Sequence, residues 1–214
     1  PASLPTMESP SMKQILHLTC SPRGQAAESS RLSRQVIDRL LERTPGAKLV
    51  ERWIGAGMPA VDESYAISQG SSADVSRDGS MILSEELVGE LESADIVVIG
   101  TPMHNLTVPA PLKAWLDHVV RARRTFNVTS TGKVGTLRDR PVFVAIASGG
   151  RFSGERARQP DFLTPYLRAI LGMVGLHDLT FFSVEGTGSG PDAIAQSRIT
   201  AKLALDQHFG SVLA

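Results

Sequence analysis

The sequence predicts an α/β fold: one five-stranded parallel sheet, strand order 2-1-3-4-5, with helices on both faces. Three features point to it. Short apolar runs alternate with longer amphipathic segments along the whole chain. Two of those runs, DIVVIG at 95–100 and PVFVAIA at 141–147, are almost continuously apolar, as strands buried on both faces must be. The 214 residues are enough for one well-cored domain and short for two.

Residues 1–12 hold Pro, Ser and little apolar content, so a disordered extension is expected there and a single domain over 13–214. QILHL is the first strand, SPRGQAAES a loop, and SSRLSRQVIDRLLER a helix that lines up Leu32, Val36 and Leu40 with Ile37 and Leu41 beside them. AKLVERW gives strand two, SEELVGELESA a helix, DIVVIG strand three and PAPLKAWLDHVVRAR a helix. PVFVAIAS, LTPYLRAILGMVG, LTFFSV and PDAIAQSRITAKLALDQHF complete the alternation. Two segments interrupt it. Residues 54–80 far exceed the usual ~2–6 residues of an α/β connection, which predicts a cap, a binding loop or a dimer contact. TFNVTSTGKVG, 125–135, predicts a small hairpin before strand four.

Composition narrows the partners. Lys plus Arg and Asp plus Glu are 22 each, so no net field is tuned for nucleic acid or an anionic membrane, and a small molecule is the expected ligand. One cysteine, Cys20, excludes an internal disulfide, and the lack of a cysteine cluster argues against a zinc-thiolate site; its small size suits a buried position better than a redox role. No signal peptide is legible and no stretch approaches ~20 apolar residues, so a cytoplasmic protein off the membrane is expected.

Ligands of open α/β sheets sit beyond the carboxyl ends of the strands, where the strand order reverses. In order 2-1-3-4-5 that point lies between strands one and three, and it selects three loops. TCSPRGQAAESS runs into a helix N-terminus whose free N–H groups and hydroxyls suit a phosphate; the plainer alternative is an N-cap by Ser29 or Ser30. TPMHNL supplies Met103, His104 and Asn105, a soft surface with donors and acceptors suited to a flat heteroaromatic ring. ASGGRF offers bare backbone at Gly149 and Gly150. Together they favour a flat, phosphate-bearing cofactor. EGTGSGP imitates a dinucleotide fingerprint, but Pro191 occupies the last glycine position and no βαβ unit follows it.

With these residues in view, the sequence resembles the FMN-dependent NADH:azoreductase family, a branch of the flavodoxin-like NAD(P)H:quinone oxidoreductases. The likeness rests on SPRG, PMHNL, LKAWLDHVVRA…TF, ASGG and the block DFLTPYLRAILGMVGLHDLTFFSVEG…GP, and spans Gln14 onward apart from 54–80. It implies a flavodoxin-like domain with bound FMN, NADH or NADPH as transient donor, a quinone or azo acceptor served by two-electron ping-pong transfer, and a homodimer with the site at its interface. It places the FMN phosphate at Ser21 and at Ala27-Glu28-Ser29, the family's S-x-S. It sets the ring along Pro102, Met103, His104, Asn105 and Leu106, and its pyrimidine edge at Ala147, Ser148, Gly149 and Gly150. Backbone N–H groups at His104, Gly149 and Gly150 are then candidates to stabilise the reduced ring, and the His104 and Asn105 side chains to orient the substrate. A flavodoxin-type electron carrier and a sensing module with impaired flavin binding are the competing readings.

The departures from the family pattern bear on affinity. Ala27 lacks a hydroxyl whose bond to a phosphate is worth roughly 1.5–3 kcal/mol. Glu28 sets a carboxylate beside a dianion, a repulsion of about 4 kcal/mol at ~4 Å in a surface-like dielectric unless the side chain points away. Arg23 is the candidate compensating charge. Weaker FMN binding than is usual in the family is expected.

Overall fold

A computed structural model describes residues 12–70 and 78–210; the extension expected over 1–12 lies, but for Met12, outside the described residues. The strands are β1 (Gln14–Thr19), β2 (Lys48–Trp53), β3 (Ile96–Pro102), β4 (Phe126–Thr129), β5 (Gly132–Gly135), β6 (Val142–Ser148) and β7 (Leu179–Glu185). The helices are α1 (Glu28–Arg43), α2 (Glu63–Gly70), α3 (Ser80–Ser93), α4 (Ala110–Val119), α5 (Thr164–Met173) and α6 (Pro191–Phe209). The main sheet is parallel in the order β2-β1-β3-β6-β7, which is the predicted 2-1-3-4-5 once the β4–β5 hairpin is set aside. That hairpin forms where the sequence predicts one.

Alternate residues of the central strands feed two cores. Leu16, Leu18, Val97, Ile99, Val144 and Ile146 pack with α3, α4 and α5 through Leu87, Leu91, Trp115 and Leu167. Ile15, Val98, Phe143 and Ala145 pack with α1 and α6 through Leu32, Val36, Ile37, Leu40, Leu205 and Phe209. Burying each Val, Leu, Ile or Phe among them stabilises the fold by about 1.5–3 kcal/mol. The result that matters for the site is that α1 and α6 share one face of the sheet.

Three boundaries differ from the sequence reading. The helix expected to run to Arg123 stops at Val119, because Thr125 Oγ1 donates to the Val119 carbonyl (2.6 Å) and accepts the Arg121 N–H (2.9 Å). The long 54–80 segment contains α2, and α3 begins at Ser80, ahead of the predicted Ser84; residues 71–77 lie outside the described set. One carboxylate organises both starts: Asp62 accepts the N–H of Tyr65 (3.1 Å) and of Ser80 (2.8 Å). Tyr65 then donates its hydroxyl to the Val120 carbonyl (3.0 Å), tying α2 to the end of α4. Among the described residues no helix is long and apolar enough to cross a membrane.

Candidate cofactor-binding site

All three predicted loops meet at a cleft of about 320 Å³ at the carboxyl ends of β1, β3 and β6. Beyond β1 the chain turns sharply: Ser21 accepts the Gly24 N–H on its carbonyl (3.1 Å) and the Arg23 N–H on Oγ (3.2 Å). Gly24, at φ +54°, makes this turn possible, and Trp53 Nε1 donates to the Ser21 carbonyl (3.0 Å) from the edge strand. One tight turn, Gly24–Ala26, then leads to α1.

The N-cap alternative is ruled out by the geometry. Ala27 is the cap residue and no side chain caps the helix, while the hydroxyls of Ser29 and Ser30 are buried with no hydrogen-bond partner. Ser29 lines the cleft at the first turn of α1, where backbone N–H groups have no intrahelical acceptor and the helix dipole favours an anion. A buried hydroxyl without a partner costs about 1–3 kcal/mol, so this position stands ready for an acceptor.

The second loop is a strained turn. His104 and Thr107 exchange N–H···O bonds, both 3.0 Å, across Asn105 at φ 48° and Leu106 at φ 72°. The left-handed region costs a non-glycine residue roughly 1–2 kcal/mol, and such strain concentrates at ligand sites. Pro102 and His104 line the cleft; Met103 is buried beneath it, its N–H bonded to the Ala147 carbonyl (2.8 Å). Asn105 and Leu106 form the tip of the turn and do not line the cleft. The His104 N–H, a candidate donor to the reduced ring, is already given to Thr107, a correction to its predicted role.

In the third loop Ala147 lines the cleft, while Ser148 is buried behind it and Gly149 and Gly150 lie just outside. The Gly149 and Gly150 carbonyls accept the N–H groups of Gly188 and Gly186, both at 3.1 Å. Glu185 holds the following residues, its carboxylate accepting the N–H of Phe152 (2.8 Å) and Ser153 (3.1 Å) and the hydroxyls of Ser153 (2.5 Å) and Ser183 (2.8 Å). A Cβ at Gly150 would meet Gln159 Oε1 at 2.1 Å; the Gln159 amide reaches Ser148 Oγ (3.2 Å) and Met103 Sδ (3.1 Å), so this side chain packs against both ring-side loops.

Several contributors escaped the sequence reading. Within EGTGSGP, Gly186 at φ +72° turns the chain back so that Thr187 enters the cleft and donates to the Ser148 carbonyl (3.2 Å). Ile194 of α6 adds an apolar wall. The position of EGTGSGP directly after the fifth strand, at the same mouth as the other loops, was the available signal. The guanidinium that holds Glu28 at two points is Arg198, which the sequence reading did not mark, while Arg23, the candidate compensating charge, is exposed and lines the cleft. Cys20 is fully buried, its N–H bonded to the Gly100 carbonyl (2.9 Å), and burial pushes its thiol pKa up, away from redox use.

A family model described as a flavodoxin-like fold matches residues 13–209. The chain belongs to this flavodoxin-like family. Among its relatives, an FMN-dependent NADH:quinone oxidoreductase of Pseudomonas fluorescens is 44% identical over 91% of this chain and 94% of the relative. Another of that description, from Burkholderia lata, is 42% identical over 90% and 94%. The crystal structure of an azoreductase from Bacillus anthracis shares the fold with a TM-score of 0.75 at 24% identity, covering 90% of this chain and 99% of that one. In this flavodoxin-like protein the site fits a flavin mononucleotide: an unpartnered buried hydroxyl and a helix N-terminus for the phosphate, and a wall of Pro102, His104 and Ala147 for the ring.

Proposed function

We propose that the chain is an FMN-dependent NADH:quinone oxidoreductase that also reduces azo compounds, working through one FMN-binding domain over 13–214. The observation that carries this reading is the Ser29 hydroxyl, buried without a partner at the start of α1 and lining the cleft. The relatives at 42–44% identity support the same activity.

FMN would supply the two-electron chemistry, with NADH as donor and a quinone or azo compound as acceptor. Ser21, Ser29 and the first turn of α1 hold the phosphate, and Pro102, Met103 and Ala147 carry the ring. The His104 side chain, exposed at the rim, orients whichever substrate lies on the ring, with Asn105 beside it at the tip of the turn. A single cleft serving both substrates in turn leads to ping-pong kinetics. NADPH as donor, a homodimer and cytoplasmic placement belong to the same reading. The dimer is supported by Phe162, which stays 59% exposed while its N–H is bonded to the Leu106 carbonyl (3.1 Å), leaving a large apolar side chain beside the His104–Thr107 turn for a second copy to cover.

The deciding experiment is the visible spectrum of the purified protein, before and after incubation with FMN and desalting. Retained flavin absorption that bleaches on NADH addition and returns with a quinone is the expected result. A protein unable to retain FMN would sink the reading and favour the sensing module, and a persistent one-electron form during titration would favour an electron carrier. Sedimentation velocity tests the dimer separately.

A further inference from the structure

Glu28 begins α1 and places a carboxylate at the helix end proposed to receive the cofactor phosphate. Left to itself, that charge would oppose a dianion and compete for the same helix dipole. The fold supplies a counter-arrangement. Arg198, 170 residues away on α6, meets the carboxylate at two points: Nε lies 3.0 Å from Oε2, and Nη2 contacts Oε1. Arg31 Nε adds a third contact at 3.6 Å from Oε2. The planar guanidinium fork fixes the orientation of a carboxylate as well as its charge, which a lysine could not do equally. The Arg198 guanidinium also holds the Glu28 carboxyl below the usual carboxylate range, so the pair is fully ionised near neutrality. One carboxylate facing two guanidiniums leaves this cluster with an excess of positive charge; Glu28 itself lines the cleft, and both arginines hold it from outside that lining.

We propose that Arg198 is a positioning residue for the cofactor phosphate: by fixing Glu28 in a two-point ion pair it keeps that carboxylate off the phosphate and leaves the first turn of α1 free to bind it. This rests on the FMN reading above and assigns a role to a residue outside the cofactor-binding loops. It also accounts for how a chain with Ala-Glu-Ser, where relatives of the resembled family carry Ser-x-Ser, can retain a phosphate site.

The test measures binding, not turnover. FMN and riboflavin, which lacks the phosphate, are titrated into the apoprotein of wild type, R198A, R198K, E28Q and E28Q/R198A. R198A should bind FMN roughly tenfold more weakly and riboflavin unchanged, with the FMN difference narrowing as salt is raised. R198K should fall between R198A and wild type. E28Q should bind FMN at least as well as wild type, and E28Q/R198A should recover most of the loss, because the charge needing restraint is gone. Equal FMN affinity in R198A and wild type, a matching loss of riboflavin binding, or no recovery in the double variant would each overturn the inference while leaving the FMN reading standing. Failure of the wild type to bind FMN would overturn both.

Discussion

Gly100 and Ser33 touch where α1 crosses β3: a Cβ on Gly100 would lie 2.5 Å from Ser33 Oγ and 3.1 Å from the Ser29 carbonyl oxygen. The absence of a side chain at Gly100 therefore sets how closely the phosphate-binding end of α1 approaches the sheet. Gly100→Ala should push α1 outward, costing about 1–3 kcal/mol and weakening FMN binding in parallel. Urea unfolding and flavin titration of one preparation check it. An unchanged midpoint would mean that α1 shifts without strain.

The Ser29 hydroxyl is buried without a partner in the protein itself, so its contribution should appear only with the phosphate bound. Ser29→Ala is expected to leave the apoprotein as stable as wild type, or slightly more so, and to weaken FMN by roughly ten- to a hundredfold, the worth of a hydrogen bond to a charged group. Riboflavin affinity should not move. Equal losses for both flavins would place Ser29 outside the phosphate site.

Glu185 gathers two backbone N–H groups and two hydroxyls beneath the loop that follows Gly150. Glu185→Leu strips the Phe152 and Ser153 N–H groups of their acceptor, at about 1–3 kcal/mol each, whereas Glu185→Gln keeps one acceptor oxygen for them. Thermal denaturation should rank wild type, Gln and Leu in falling order. A Gln variant as unstable as Leu would show that the charge, not the hydrogen bonding, matters.

His17 is 1% exposed in the middle of β1, with Nε2 2.8 Å from Ser33 Oγ and Nδ1 3.5 Å from the Glu51 carboxylate. Ser33 Oγ also reaches the Ser30 carbonyl (3.1 Å), so the ring and this hydroxyl belong to one buried network. Burial, reinforced by Arg34, lowers the His17 pKa, although Glu51 opposes the shift. The unfolded chain then binds a proton that the folded chain refuses. Stability should be level above the ordinary value of 6.5 and fall as pH drops below it, with a slope of up to ~1.4 kcal/mol per pH unit. Melting between pH 7.5 and 5.5 should show this fall in wild type and a flatter profile in His17→Gln; parallel profiles would refute it.

The five strands, their order and the three loops that form the cleft were legible in the amino-acid sequence. Strand and helix periods are local, and DIVVIG or the stripe Leu32, Val36, Leu40 declares its element within a few residues. The strand-order reversal marked the loops that carry Ser21, Ser29, Pro102, His104 and Ala147, and the family resemblance marked those residues within them. Contacts between distant segments are written in no local window and came with the assembled fold. Thr125 ends a helix whose apolar pattern continues past Val119, and Asp62 starts two helices at once. Gln159 settles between Met103 and Ser148, and Arg198 finds Glu28 across 170 residues because α1 and α6 cover one face of the same sheet. Charge partners of that kind follow from which helices the sheet brings side by side, and that is fixed only when the whole sheet has formed.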